Sequence, residues 1–217
     1  MESLDNLKEE LEDLKGQKLT HVRVLFLDIS SSCTGYAVAS VDFNNKKANI
    51  DSTGAIWLNP NWSHQEKYSY MFQAMSTYFW IVQQVDYIVV EQYMLNAKKA
   101  MGTQVVPEMQ GAIKAGAWEN GVKVDSILPQ SWRSTLGIKK DPETGSYKEP
   151  TKVAIEELVQ LPEKVVSNIT GKERQTPYDV YDALGVGLAW LERMNFKKVT
   201  FSELKVNPHI GHQLGGY

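Results

Sequence analysis

The chain has 217 residues, 42% of them hydrophobic and 23% charged, with a formal net charge of −3 and a single cysteine. That is enough chain to bury one full core without disulfides or a structural metal, and no apolar run approaches the ~20 residues that a membrane span requires. A pI of about 5.9 argues against a general polyanion binder, while total charge can hide a local basic patch. The N-terminal stretch MESLDNLKEELEDLK is charged throughout and unlike a secretion signal, and Cys33 has no partner for an internal disulfide, so a reducing cytoplasm is expected. On that expectation the sequons at Asn61 and Asn168 are chance.

In chain order, Leu4, Leu7, Leu11 and Leu14 form a narrow apolar seam, so residues 1–20 are expected to be an appended helix, either lying on its own domain or making a dimer contact. The run from Val22 to Leu27 reads as a strand buried on both faces that ends on Asp28. The mostly small and hydroxyl residues over Ile29 to Gly35 make a tight turn, and Tyr36 to Val41 returns as the second arm of a hairpin. Ala48 to Leu58 is expected as a third strand. Aromatic and apolar residues at helical spacing (Tyr68, Phe72, Met75, Phe79, Val82) predict a helix over His64 to Val85. Asp86 to Glu91 has a short apolar centre and is again a strand finishing on an acid.

From Ala97 to Asn120 a loop leads into a helix whose glycines permit a close neighbour. Val122 to Leu128 reads as a further strand, and Pro129 to Arg133 opens a short helical turn. Gly137 to Glu149 is the most loop-like interior segment and is expected to be mobile. Pro150 to Leu161 has an amphipathic pattern. Thr176 and Pro177 supply an N-cap and a first-turn proline for a last helix through about Met194. The tail over 195–217 offers no pattern, and His209 and His212 lie three apart without further ligands. Strand, helix, strand, helix in this order signals βαβ units, hence an α/β domain with a partly parallel sheet.

Four acids stand out: Asp28 and Glu91 at strand ends, and Asp179 and Asp182 three apart near the start of the last helix. That helix continues as Ala183-Leu184-Gly185-Val186-Gly187-Leu188-Ala189, small and apolar all round, which describes a buried helix pressed on a sheet. If all four acids meet beneath it, mutual repulsion demands positive charge, and hard divalent ions with oxygen ligands are the natural partners.

These residues carry a resemblance to the RuvC-type Holliday-junction resolvases of the ribonuclease H-like superfamily. It runs from about Val22 to Trp190 and rests on three motifs in order: Asp28 followed by a turn and Thr34-Gly35-Tyr36, Val89-Val90-Glu91-Gln92, and Asp179-Val180-Tyr181-Asp182-Ala183-Leu184. The resemblance, in particular to phage-type members, implies a mixed five-stranded sheet, three antiparallel strands then parallel ones, flanked by helices, with the nuclease domain over 21–194. It implies a homodimer that binds four-way DNA and nicks two opposed strands. It also implies two Mg²⁺ ions per active site, with Mn²⁺ as the alternative, held by Asp28, Glu91, Asp179 and Asp182 as catalytic residues. DNA contacts fall at Tyr93 and Met94 near the junction centre, at Arg133 and Lys152 beside the scissile phosphate, and along Lys98, Lys99, Lys139 and Lys140.

The chain departs from the cellular members in having Ile29-Ser30 where they have Pro-Gly, and residues 1–20 and 195–217 have no counterpart. Two further readings are a broader nuclease of flaps and forks and a junction-binding scaffold without catalysis. Sugar and acetate kinases share the opening hairpin, but they need a second domain and a glycine-rich adenosine loop that this chain lacks. A cytoplasmic site of action, in a bacterial or phage-infected cell, follows from the same resemblance.

Overall fold

The computed structural model describes residues 21–93 and 104–206. The expected N-terminal helix, the His209/His212 pair, Met94, Lys98 and Lys99 lie outside these residues. The described residues open with three antiparallel strands, β1 (Val22–Ile29), β2 (Cys33–Asp42) and β3 (Lys47–Trp57). Helix α1 (His64–Gln73) follows and runs on as a π-helical stretch over Ala74–Val82. Its first turn is closed by a capping box in which Ser63 and Glu66 satisfy each other's backbone donors, so the serine of the first sequon is a helix cap. Then come β4 (Tyr87–Glu91), α2 (Val105–Glu119), β5 (Lys123–Ile127), α3 (Pro129–Thr135), α4 (Lys148–Glu156), a small hairpin of β6 (Lys164–Val166) and β7 (Glu173–Gln175), α5 (Tyr178–Arg193) and β8 (Lys198–Val206).

The main sheet has six strands in the order β5-β4-β1-β2-β3-β8, with β4 parallel to both β1 and β5. It therefore has one strand more than the five expected. The extra strand comes from the segment beyond 194. Asn195 adopts the left-handed conformation (φ 59°) after α5, and the Asn195 and Phe196 amides bond back to the Glu192 and Leu191 carbonyls in a Schellman cap. That cap turns the chain so that β8 runs parallel to β3, pairing Lys47 with Lys198 and Ile50 with Phe201.

Strand parity divides the core into two layers. Val24, Phe26, Ala37, Ala39 and Val89 face the α5 layer, together with Leu184, Ala189 and Trp190. Leu25, Leu27, Tyr36, Val38, Ile88 and Val90 face the α1 and α2 layer, together with Met71, Phe79 and Met109. Gly116 of α2 is the close-approach position expected of that helix: a Cβ there would lie 2.4 Å from Phe72 and 2.5 Å from Trp80. The segment over 137–149 is organised by Asp141, whose carboxylate accepts from the Glu143 and Thr144 amides and the Thr144 hydroxyl.

Candidate active site

The parallel register aligns Leu27 with Val90, so Asp28 and Glu91 are neighbours, one residue further along adjacent strands. Both share the parity of Phe26 and Val89 and so point to the α5 face. Helix α5 can reach them because three glycines remove the side chains that would hold it off. A Cβ on Gly35 of β2 would sit 1.8 Å from the Asp179 carbonyl oxygen, one on Gly185 would meet Trp132 at 2.5 Å, and one on Gly187 would meet Phe26 at 2.7 Å. The Gly35 of the first motif is thus the seat on which the start of α5 rests. Thr176 does not cap this helix as expected. Its hydroxyl donates to the Pro162 carbonyl at 2.5 Å, and Pro177 takes the N-cap position.

The four acids act on one another. Burial raises Asp28 well above the ordinary carboxyl range, and the charges of Glu91, Asp182 and Asp179 add to the shift. Asp182 is pushed up to about 7, first by burial and then by Glu91 and Asp179, against the pull of Arg133 and Lys148. Burial also raises Glu91 and Asp179; Arg133 and the Trp132 indole oppose the first shift, and the Ser30 hydroxyl opposes the second. The cluster is short of positive charge, which is what a donor set made only of carboxylate oxygens presents to a hard cation.

Arg133 stands in the middle of this cluster. Its Nη2 lies 3.6 Å from Glu91 Oε2 and 3.6 Å from Asp182 Oδ2. Its guanidinium stacks at 4.4 Å from the Trp132 ring centre and 4.9 Å from that of Tyr147. Fully buried Trp132 donates its indole N–H to the same Glu91 oxygen at 2.6 Å. Among the described residues no group of three or more His, Cys, Asp or Glu side chains is gathered tightly enough to hold a metal ion; a guanidinium bridges two of the carboxylates instead.

The other expected contacts divide. Tyr93 packs, partly buried, against the α1 and α2 layer. Lys139 and Lys140 are exposed, with Lys140 5.5 Å from the Tyr147 ring centre. Lys152 pairs with Glu156 at 3.9 Å, one turn along its own helix. The lysine whose charge reaches Asp179 and Asp182 is Lys148, in the first turn of α4 and over the Tyr178 ring. It was missed because α4 begins two residues before the expected Pro150, which changes the lysine that faces the acids.

No protein-family profile matches the chain. It is 27% identical over 170 residues to the crossover junction endodeoxyribonuclease RuvC of Chlorobium phaeovibrioides, covering 78% of this chain and 81% of the relative. Among solved structures, T. thermophilus RuvC in complex with Holliday junction substrate superposes with a TM-score of 0.53 at 16% identity, over 78% of this chain and 92% of that one. The yeast mitochondrial Holliday junction resolvase gives 0.55 at 16% identity, over 87% and 86%. With its three acidic motifs in the order just described, the chain is similar in sequence to a RuvC and shares the fold of solved Holliday junction resolvases.

Proposed function

We propose that this protein is a metal-dependent endonuclease that resolves four-way DNA junctions by paired, symmetric nicks. The observation that carries the reading is the convergence of Asp28, Glu91, Asp179 and Asp182 on one face, each with its ionisation suppressed by burial. To hold two Mg²⁺ ions, or Mn²⁺, these four would have to draw closer together as Arg133 gives up Glu91 and Asp182; the ions, when bound, would activate a water and stabilise the leaving oxygen. The chain's own part is positioning. The Gly35 seat fixes Asp179 beside Asp28, and Trp132 orients Glu91 through its indole N–H. Arg133 within the cluster and Lys148 beside it present cations, and a phosphate could take over the ion pairs that Arg133 makes with Glu91 and Asp182. The likeness to the yeast mitochondrial Holliday junction resolvase and to a RuvC bound to a Holliday junction supports the choice of substrate.

A two-fold substrate calls for a two-fold protein. The outer face of α2 suits such a contact, because Lys114, Ala115 and Trp118 are all exposed there, Trp118 at 85%. Trp118 borders a hollow of about 510 Å³ lined by Lys114, Gly121, Val122, Lys123 and Val124. Knob and recess on one patch are what self-complementary pairing requires. No helix among the described residues is long and apolar enough to cross a membrane.

The test is a panel of end-labelled four-way junction, flap, fork and plain duplex, incubated with and without Mg²⁺, with cut sites mapped on every strand. Two opposed, symmetric cuts in the four-way junction that require the ion are expected. Asp28→Asn and Glu91→Gln should bind the junction at least as tightly as the wild type and not cut it. Cutting by either variant, or none by the wild type on any substrate, defeats the proposal.

A further inference from the structure

The β6–β7 hairpin has no role in the chemistry above, yet it is held firmly in place. Val165 and Ser167 are buried, while Lys164, Lys172, Glu173 and Arg174 are exposed. The Ser167 amide bonds to the Lys172 carbonyl at 2.9 Å, and the Gly171 amide bonds to the Ser167 carbonyl at 2.8 Å. Asn168 fixes the tip. Its amide oxygen accepts from the Trp57 N–H at 2.7 Å, and its NH₂ donates to the Trp57 carbonyl at 3.0 Å and to the Tyr70 hydroxyl at 2.9 Å. By exchanging both bonds with one backbone residue, the side chain imitates a strand neighbour at the end of β3.

That anchor sets where the hairpin lies. Trp57 pairs with Cys33, at the turn that follows Asp28, so the hairpin sits at the end of the sheet where the acids gather. It flanks them on the β3 side, whereas Arg133 approaches from the β5 side through α3. Arg174 is the cross-strand partner of Val165, and such partners share a face. Val165 is turned inward, so Arg174 lies on the inner face and is exposed at its rim, while neighbouring Glu173 points the other way; Lys172, whose carbonyl accepts from the amide of buried Ser167, continues the register on the same side as Arg174. The charge of Arg174 reaches Cys33, which also feels Asp179 and Asp28.

Resting on the nuclease reading, we propose that Arg174 and Lys172 form a second phosphate-binding arm that holds the sugar–phosphate backbone of the cut strand where it passes the β3 side of the acidic cleft. Guanidinium and ammonium suit phosphate oxygens and carry no sequence information, so the arm fixes the path of the strand and not the bases chosen. With Arg133 reaching the acids from the β5 side, the scissile phosphate would then meet cations from both sides.

The experiment uses the full chain and a labelled four-way junction in EDTA, followed by fluorescence anisotropy across a series of salt concentrations. Arg174→Ala and Lys172→Ala are each expected to weaken binding several-fold and to lower the slope of log affinity against log salt by about one. Arg174→Lys should restore most of the slope. Lys164→Ala, which removes the same charge from the opposite hairpin face, should leave the slope nearly unchanged. Calorimetric Mn²⁺ binding should not move in any of these variants. Wild-type affinity and slope in Arg174→Ala, or an equal loss in Lys164→Ala, overturns the arm while leaving the nuclease reading intact. A wild type that binds no DNA overturns both.

Discussion

At Asp182 burial pushes the carboxyl up to about 7, well above its value in an unfolded chain. The sign of the linkage follows. Below about pH 4 the group is protonated in both states and costs nothing. Between about 4 and 7 the unfolded chain ionises first, so the folded state binds more protons and stability falls as pH rises. Asp28, Glu91 and Asp179 are shifted in the same direction and steepen the decline. In EDTA the melting temperature is therefore expected to drop between pH 5 and pH 8, and Asp182→Asn should flatten part of that drop because its side chain cannot ionise. Added Mg²⁺ should raise the melting temperature more at pH 8 than at pH 5, since cations compete with protons for these oxygens. A metal-free wild type whose melting temperature climbs through this window would contradict the charge-poor cleft.

Among the elements, α5 matters most, because its seat on β2 decides where two of the acids stand. Gly35→Ala would place a methyl against backbone atoms of Asp179 and Val180 at 1.8–2.6 Å, and backbone gives way only by moving the helix. Over-packing of this kind costs about 1–3 kcal/mol, and calorimetry should record weaker Mn²⁺ binding as Asp179 shifts. Gly111→Ala on exposed α2 meets nothing within 4 Å and should be neutral or stabilising by up to ~1 kcal/mol. Equal losses in the two variants would deny that Gly35 is a seat. The strand ends and the paired acids of α5 were legible in the sequence because an acid closing an apolar strand, or opening an all-apolar helix, conflicts with burial unless it serves a site. Arg133 was legible, through the resemblance, as a cation beside the scissile phosphate; that it bridges Glu91 and Asp182 depends on how α3 packs under α5. The β6–β7 hairpin escaped notice because two three-residue strands carry too short an alternation to register, and Asn168 reads as a loop residue until its bonds to Trp57 are seen.

For the whole molecule, the proposed pairing through α2 makes a direct prediction. Trp118→Glu would put a charge at the centre of the patch. Light scattering on the wild type should return twice the 24.5 kDa chain mass, and on the variant a single copy. A monomeric wild type, or a variant that stays paired, removes this face from consideration. The strand order has a practical consequence for anyone trimming the protein to a minimal crystallisable fragment. Stopping at the end of α5, the obvious choice from sequence similarity, would strip away β8 and bare the hydrogen-bonding edge of β3. Such a fragment should clump or swap strands between copies, whereas one extended to Val206 should stay dispersed.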